Sequence, residues 1–570
     1  MSDPRFDSVT PPTNPEKYQT EWQPLVAKKQ QECADKIPSE WRLSQSLLDS
    51  LALDSAHGVD LIEADIPRKS GLLSPLELDL TENYTARELL AQLAAGTVTS
   101  VAVTTAFCKR AAIAQQLTSC LTETFFPAAL ERAQHADDHL KRTGTTLGPL
   151  HGLPISIKDC FNVKGLQATI GYVSLLAVPP ATANSAIVDL LLDLGAVLYV
   201  KTNIPQTMMT ADSENNIFGR TLNPHNTRLT AGGSTGGEGA LIAFRGSILG
   251  VGSDVAGSIR IPALCCGVYG FKPSADRVPP AGQALKRKTG LARIIASAGP
   301  LAQTLDDIEL FLSTVLADGH QPWSYDVTAL AVPWNSSLVA APARTLTVGV
   351  PAEDPWFPLH PPVRRTLETA IANLERKGHR VVRLPAPETE EHTLAYANRL
   401  ALQFFIYGPS HDYIGDSGEP TIASVAQRSS PVFTGPLPVD MALEPFEKMH
   451  LLHTAREAYA EYWRKTWVEH RLDIILGPGA QNTAVPHDTY GWPPYTLAWN
   501  LLNYPACIIP FGRASKELDP EPFAVSDGVQ PSYDPESMDK APCAIQLIAP
   551  TLQDEKCLWA AKIIDRDIRE

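Results

Sequence analysis

Hydrophobic positions in the first part of the chain recur at three- and four-residue spacing, which is typical of amphipathic helices. Leu89 and Leu93 mark one such helix. Thr85 and Glu88 form a capping box that predicts the start of this helix, and Gly96 predicts its end. The element predicted with the clearest boundaries in this part of the chain is therefore a helix of about three turns.

Two further helices are predicted before residue 145. Ser100 is expected to cap the first, which continues through residues 101–113, and the second covers residues 128–140. The polar residues expected on the solvent side of the second helix are His135, Asp137 and His139.

The pattern changes after Gly148, where short and continuously apolar runs replace the helical spacing. The segments 154–157, 196–200 and 248–251 are too short for helices and are typical of strands buried on both faces. Helical segments lie between them. This alternation predicts an α/β fold with a mixed central sheet.

A second α/β block begins near Thr345. The segments 346–350 and 380–384 predict two strands, and the apolar face of the segment between them predicts a helix that Gly378 ends. This arrangement is typical of a βαβ unit. Residues 400–470 are predicted to be mostly helical.

Composition indicates a large, acidic, globular protein. Of its 570 residues, 44% are hydrophobic and 19% are charged, which excludes a disordered, collagen-like or coiled-coil chain. A net charge of −15 repels phosphate backbones and anionic lipids, so neither nucleic acid nor a membrane is expected as a partner. The nine cysteines include no CxxC pair, and neither a signal peptide nor a membrane span is recognisable. We therefore expect a cytoplasmic enzyme with reduced thiols.

Two serines lie in glycine-rich turns, Ser234 within residues 232–239 and Ser258 within residues 250–260. Such turns, where they lead into helices, present main-chain N–H groups to an anion or a developing oxyanion. The first turn lacks the Gly-Lys of a P-loop, and the second lacks the third glycine of a dinucleotide fingerprint. Two other interpretations of the first turn stay open. One is a purely structural turn. The other is the nucleophile elbow of an α/β-hydrolase, since Ser234 lies in a GxSxG sequence and His487 is one candidate base.

Lys158 follows the apolar run 154–157, where a solvated lysine is out of place. A lysine held in a desolvated, hydrogen-bonded site has a lowered pKa and can act as a base. Taken alone, Lys158 is more often the ion-pair partner of a nearby carboxylate. Its occurrence together with two serine turns favours a catalytic constellation.

These segments together resemble the amidase signature family. The matching motifs are Ile157-Lys158-Asp159, Gly232-Gly-Ser-Thr-Gly-Gly-Glu238 and Gly252-Ser-Asp-Val-Ala-Gly-Ser-Ile-Arg260. Further matches, among them Lys201-Thr-Asn-Ile-Pro205 and Gln546-Leu-Ile-Ala-Pro550, extend the resemblance over about residues 80 to 565. The segment that follows Gly237 is similar to the acetamidase and general amidase branch found in fungi.

The resemblance implies the amidase signature fold, in which helices cover both faces of a mixed, twisted central β-sheet. It also implies a division of the chain into an N-terminal helical region (1–75) and an amidase signature domain (76–570). This domain consists of a catalytic core (about 145–315), a second α/β block with a helical insertion (about 345–470) and a C-terminal return to the core (about 471–570).

The resemblance also assigns roles to individual positions. Ser258 would be the nucleophile, Lys158 the base and Ser234 the serine that bridges them, following a cis peptide bond from Gly233. The expected oxyanion hole consists of the main-chain N–H groups of Val255, Ala256, Gly257 and Ser258. The expected substrate-binding residues are Met208, Met209, Thr210, Ser213 and Thr235, with Phe404, Phe405 and Tyr407 as weaker candidates. Asp254 and Arg260 are expected to form a structural ion pair, and no metal or other cofactor is implied.

The function implied is hydrolysis of the C–N bond of small to medium carboxylic amides, through a covalent acyl-enzyme, to a carboxylate and ammonia or an amine. The expected partner is the small amide substrate, and a homodimer is left open. Three alternatives stay open: a long-chain or aryl amide hydrolase of the fatty-acid-amide type, a glutamine-dependent amidotransferase subunit, and an inactive scaffold. The intact set of Lys158, Ser234 and Ser258 argues against the last.

Overall fold

A mixed sheet, with eleven strands in the part of the chain that the structure describes, forms the centre of the protein. The computed structural model describes residues 9–53, 55, 57–284, 293–406, 411–426, 436–525 and 530–570. In chain order the sheet strands are β1 (Leu121–Thr124), β2 (Pro154–Lys158), β3 (Val197–Thr202), β4 (Leu249–Asp254), β5 (Tyr269–Lys272), β6 (Ser297–Ala302), β7 (Thr347–Val350), β8 (Arg380–Arg383), β9 (Ile474–Pro478), β10 (Ala506–Arg513) and β11 (Pro542–Ile548). Across the sheet their order is β8-β7-β9-β11-β10-β5-β6-β4-β2-β3-β1.

The directions of the strands confirm the predicted mixed sheet. β2 runs parallel to β3 and β4, and β7 runs parallel to β8 and β9, whereas the other neighbouring strands are antiparallel. All five segments predicted as strands form strands, with ends shifted by at most three residues. The two blocks meet in one sheet because β10 and β11 lie between them.

Helices of seven or more residues connect and cover these strands. They are α1 (Gln23–Asp35), α2 (Gln45–Leu51), α3 (Pro75–Glu82), α4 (Ala86–Ala95), α5 (Ser100–Thr118), α6 (Phe126–Thr143), α7 (Ala186–Asp193), α8 (Gly236–Ala243), α9 (Arg260–Cys266), α10 (Leu305–Val315), α11 (Pro361–Arg376), α12 (Leu394–Ile406), α13 (Pro445–His470), α14 (Pro494–Leu501) and α15 (Asp554–Arg569). Shorter helical segments are Pro15–Lys17, Tyr18–Trp22, Ser39–Trp41, Ile66–Lys69, Val173–Ala177, Gln206–Met208, Asp318–His320, Pro322–Ser324, Ser336–Val339, Glu390–His392, Tyr413–Ser417 and Ala423–Ala426. The βαβ unit is confirmed as β7-α11-β8.

Among the described residues, three short strand pairs lie outside the central sheet. They are Val9–Pro12 with Pro420–Ile422, Glu214–Asn215 with Gly219–Arg220, and Leu222–Asn223 with Asn226–Thr230. The first pair ties the beginning of the described chain to the second block. The first 75 residues therefore contain a strand as well as helices.

Helices cover both faces of the sheet, as β10 illustrates. Cys507 and Ile509 belong to the hydrophobic cluster that contains Leu558 and Ile564 of α15. Ile508, which points to the opposite face, belongs to a different cluster with Leu264 of α9. A strand buried on both faces needs a continuously apolar sequence, which explains why these runs are recognisable without alternation.

The capping box of α4 is confirmed, because the Thr85 and Glu88 side chains exchange hydrogen bonds with each other's main-chain N–H groups. The predicted start of α5 is wrong by one residue. Thr99 is its cap, and Ser100 is its first helical residue. The N–H groups of Ser100 and Val101 donate to the two carboxylate oxygens of one residue of α6, at 2.6 and 3.0 Å.

That residue is Asp137, so its expected position on the solvent side of α6 is also wrong. Its carboxylate is drawn to the start of α5, where the main-chain N–H groups of a first helical turn have no partner inside the helix. Within the described ranges, no helix combines the length and the apolar character needed to cross a membrane.

Candidate active site

Lys158 is the last residue of β2 and is completely buried. Its Nζ donates to Ser234 Oγ at 2.7 Å and to Ser253 Oγ at 3.0 Å. Burial lowers the pKa of Lys158 to about 8. The side chain is thus held within reach of a hydroxyl group and in an environment that favours its neutral form.

The turn that carries Ser234 connects the short strand ending at Thr230 to α8. The expected cis peptide bond between Gly233 and Ser234 is confirmed. A Cβ atom at Gly233 would lie 2.3 Å from the carbonyl oxygen of Thr210, so only glycine fits there. The glycine requirement seen in the sequence therefore has a steric cause.

Ser213 fastens this turn at both ends. Its Oγ donates to Gly232 O at 2.9 Å and accepts from Gly236 N–H at 3.0 Å. Ser213 is completely buried by this arrangement. Its predicted place in the wall of the substrate pocket stays a prediction, while its hydroxyl is seen to position the turn around Ser234 as both donor and acceptor.

The turn that carries Ser258 lies between β4 and α9, and the buried ion pair of Asp254 with Arg260 spans it. Arg260 Nε and Nη2 each donate to Asp254 at 3.0 Å. Burial alone would raise the pKa of Asp254, but the guanidinium outweighs it and holds that pKa well below its usual range. The predicted structural role of this pair is confirmed.

Glycines on β4 allow the two serine turns to pack over the same strand. A Cβ atom at Gly252 would lie 2.8 Å from Thr235 Cγ2 and 3.1 Å from Ile259 Cγ1. Thr235 directly follows Ser234, and Ile259 directly follows Ser258. The site is therefore built from the end of β2, the end of β4 and the two helix starts that meet above them.

Main-chain groups of the Ser258 turn have different partners. Gly257 N–H donates to Asp254 Oδ1 at 2.8 Å, so this member of the predicted oxyanion hole is already engaged. Thr496 Oγ1 donates to Ala256 O at 2.6 Å. Among the described residues of this turn, positive φ is confined to Gly257, at 135°, and Ala256 is accommodated without it.

Of the predicted substrate-pocket residues, Met208, Met209 and Thr210 are half-buried. Thr235 is fully buried, and its Oγ1 lies 3.4 Å from Ser253 O, beside Lys158. The weaker candidates Phe404 and Phe405 belong to or pack against the hydrophobic cluster that also contacts Val255 and Ala256. Tyr407 lies outside the described residues.

Several residues at the site were not assigned a role from the sequence. Ser253 stands in the matched Gly-Ser-Asp motif, so its polar side chain beside Asp254 was an available signal. Asn500 and Gln546 bind Arg260 from more than 200 residues away in the chain. No local pattern could have predicted those two contacts, because they depend on the register of distant elements.

His487 does not serve as a partner of Ser234. Its Nε2 contacts Thr227 O at 3.1 Å, and its Nδ1 lies 3.6 Å from Asp212 Oδ1. The hydroxyl of Ser234 is instead bound by Lys158. The α/β-hydrolase interpretation is therefore wrong.

In the described parts of the chain, no group of three His, Cys, Asp or Glu side chains has a geometry suited to a metal ion.

Comparison with known proteins agrees with the geometry. The family model described as Amidase matches residues 102–558. An amidase of Gibberella moniliformis is 41% identical over 548 residues, covering 95% of this chain and 98% of that protein. An acetamidase of Emericella nidulans is 36% identical over 562 residues, covering 96% and 98%. A solved structure of a fatty acid amide hydrolase matches with a TM-score of 0.83 at 30% identity, covering 99% of this chain and 98% of that one. The chain belongs to the amidase family.

Proposed function

We propose that the protein hydrolyses the C–N bond of small to medium carboxylic amides, yielding a carboxylate and ammonia or an amine. The observation that carries this proposal is the buried Lys158, whose Nζ lies 2.7 Å from Ser234 Oγ at the meeting point of two serine turns. A neutral amine in that position can receive a proton, which is the property needed to activate a serine nucleophile.

In the proposed mechanism, Ser258 attacks the amide carbonyl. Its hydroxyl proton passes to Ser234 Oγ while the proton of Ser234 passes to Lys158 Nζ. The tetrahedral intermediate then collapses as the proton returns through Ser234 to the leaving nitrogen, which departs as ammonia or an amine. Water hydrolyses the resulting ester of Ser258 by the same relay run a second time. No step requires a metal.

The developing oxyanion is bound, on this proposal, by main-chain N–H groups of Val255, Ala256 and Ser258. Gly257 belongs to the same loop, but its N–H is already held by Asp254. Thr496, bound to Ala256 O at 2.6 Å, and the Asp254–Arg260 pair both restrain this loop. Preorganised donors are the largest single source of stabilisation in acyl transfer.

Acetamidases among the relatives support small amides as substrates. A long-chain or aryl amide hydrolase is the second candidate, favoured by the match to the fatty acid amide hydrolase structure. Met208 and Met209 form one adaptable apolar wall of the substrate pocket on either candidate. We further propose that the protein is cytoplasmic and that residues 1–75 form a region distinct from the catalytic domain 76–570.

A panel of amides tests the substrate class. Purified protein is incubated with acetamide, butyramide, hexanoamide, a long-chain amide and an aryl acylamide, and the release of ammonia or amine is measured. The highest kcat/KM among the short amides supports the proposal, whereas a maximum at the long-chain or aryl member supports the second candidate. Release that depends on added glutamine and on a second subunit contradicts both.

A further inference from the structure

Glu238 lies in the first turn of α8, four residues after Ser234, and its side chain is completely buried. The proposed mechanism gives it no task. A fully buried carboxyl group is rare unless it is paired with a cation or hydrogen-bonded throughout. The surroundings of this group therefore indicate which form it takes and what that form does.

One carboxyl oxygen of Glu238 is tied to the strand that carries Lys158. Ser156 Oγ donates to Glu238 Oε2 at 2.6 Å and also lies 2.8 Å from Ser247 Oγ. Ser156 and Lys158 are two residues apart on β2, so their side chains point to the same face of the sheet. The carboxyl group is thus anchored on the same face as the lysine.

A glycine on β4 makes room for this contact. Gly250 is the register partner of Ser156, and a Cβ atom there would lie 2.2 Å from Glu238 Oε2. The carboxyl group therefore rests directly on the backbone of the pair β2–β4.

The other carboxyl oxygen, Oε1, is buried and has no hydrogen-bond partner among the described groups. Thr202 Oγ1 is likewise buried without a hydrogen-bond partner. Thr202 is the register partner of Lys158 across β2 and β3, and its hydroxyl interacts with Glu238. The threonine hydroxyl can donate to an ionised carboxylate or accept from a protonated one, so this contact suits either form of Glu238. What distinguishes the two forms is the cost of burying an ionised carboxylate without a paired cation.

The charged and titratable groups around Glu238 do not supply a dedicated cation. Lys158 on β2, Tyr199 on β3 and Cys120 before β1 interact with it electrostatically, and Asp254 on β4 is already paired with Arg260. Burial raises the pKa of Glu238 to about 8, despite the opposing effects of Ser156, Thr202 and Lys158. The single cation in this set is the lysine that the mechanism requires in its neutral form.

We propose that Glu238 is a positioning residue that acts as a neutral carboxylic acid, bridging Ser156 and Thr202 and closing the space behind Lys158, so that the lysine stays desolvated and loses its proton more readily than a solvated lysine. This proposal rests on the proposed function for its catalytic meaning. An ionised Glu238 would stabilise the ammonium form of Lys158 and remove the base, and a water molecule in place of the carboxyl group would have the same consequence by solvation.

The test measures the rate at which a fluorophosphonate labels the protein as a function of pH, because this rate reports serine activation without any amide substrate. Glu238→Gln keeps the shape of the side chain, its hydrogen-bond acceptor and a donor. The acidic limb of the labelling profile, where the rate falls as the pH is lowered, should therefore stay within about 0.3 pH units of the wild type. Glu238→Ala admits water beside Lys158, so the acidic limb of its labelling profile should move to a pH about one unit higher. Labelling at neutral pH should then be about tenfold slower than in the wild type and should recover in alkaline solution.

A second measurement reads the protonation state directly. The infrared difference spectrum between wild type and Glu238→Gln at neutral pH should contain the carbonyl stretch of a protonated carboxylic acid. Asp307→Asn is the matched control: Asp307 is also buried, with a pKa raised to about 6, but it binds Ala86 N–H at the start of α4, so its removal should leave the labelling limb in place.

Three results would overturn the proposal. The first is a labelling profile of Glu238→Gln whose acidic limb lies about one pH unit lower than that of the wild type, which would mean that the wild-type carboxylate is ionised. The second is the absence of the carboxylic acid carbonyl band. The third is a shift of the acidic limb in Asp307→Asn equal to that in Glu238→Ala. Should Glu238→Ala not fold, the two measurements on Glu238→Gln decide. If no amide is hydrolysed, both still report on Glu238, so failure of the proposed function is distinguishable from failure of this inference.

Discussion

Asp254 and Arg260 form a two-point ion pair across the turn that contains Ser258, with two nitrogen–oxygen distances of 3.0 Å and both side chains fully buried. The carboxylate also accepts from the main-chain N–H groups of Gly257 and Ile259, on either side of the serine. Asn500 donates to the same carboxylate at 3.0 Å. The pair therefore fixes the backbone that positions the nucleophile.

Removing the charge of Asp254 should destabilise the protein and the turn together. Asp254→Asn leaves the buried guanidinium unpaired, which typically costs about 3–5 kcal/mol, and this loss should appear in denaturant unfolding. Glu368→Gln, which breaks the exposed pair with Arg383, is the control and should cost about 0–1 kcal/mol. Equal effects of the two substitutions would argue against the role given to the buried pair.

The same pair predicts the sign of the acid sensitivity. Because the pKa of Asp254 in the folded protein is lower than in the unfolded chain, its contribution to stability is present above about pH 4 and is lost as the pH falls further. Stability curves of Asp254→Asn and wild type should therefore converge in strong acid. Curves that stay parallel at all pH values would contradict this.

Lys158 predicts the pH dependence of catalysis. Its pKa is lowered to about 8, and only the neutral amine is a base, so kcat/KM should fall about tenfold for each pH unit below that value. Lys158→Met should lower kcat by about 10²–10⁴-fold and remove this limb. Steady-state kinetics between pH 5 and 9 measure both effects, and a wild-type profile that is flat below pH 8 would exclude Lys158 as the base.

Ser213 predicts a separation between stability and activity. Ser213→Ala leaves Gly232 O and Gly236 N–H without their partner, at a cost of about 1–3 kcal/mol, and loosens the turn that carries Ser234. Ser185→Ala is the matched control, because Ser185 Oγ also joins a carbonyl, that of Gly282, to an N–H group, that of Asn162. We expect Ser213→Ala and Ser185→Ala to lose similar amounts of unfolding free energy, and we expect kcat to fall only in Ser213→Ala.

Strand glycines give a fifth prediction. Gly250→Ala should displace Glu238 Oε2 and destabilise the protein by about 1–3 kcal/mol, since its Cβ would lie 2.2 Å from that oxygen. Gly477→Ala is the control on β9, where a Cβ meets nothing within 4 Å. Thermal unfolding of both variants checks the difference, and comparable melting temperatures would contradict the packing of α8 on β4.

Five strands of the central sheet and the three proposed catalytic residues were predictable because their signals are local. The short run 154–157 before Lys158 is apolar apart from Ser156, and Ser234 and Ser258 lie in glycine-rich motifs that can be read without the fold. The capping box at Thr85 is local in the same sense and was predicted with its residues.

Contacts between distant segments were not predictable. Asp137 reaches back to the start of α5, and Ser213 faces a turn about twenty residues further along the chain. Each is a polar residue whose own neighbourhood is typical of a solvent-facing or pocket-lining position. What decides its role is the partner that the sheet brings to it, and that partner is set by strand order, which periodicity does not encode.

Peptide mapping of the protein after reaction with a fluorophosphonate tests the central claim most directly. Wild type should carry the phosphonyl group on Ser258, Ser258→Ala should carry none, and Ser234→Ala should label at the same residue but more slowly. An adduct on Ser234 in the wild type, or full labelling of Ser258→Ala, would contradict the assignment of Ser258 as the nucleophile and Ser234 as the proton carrier between it and Lys158.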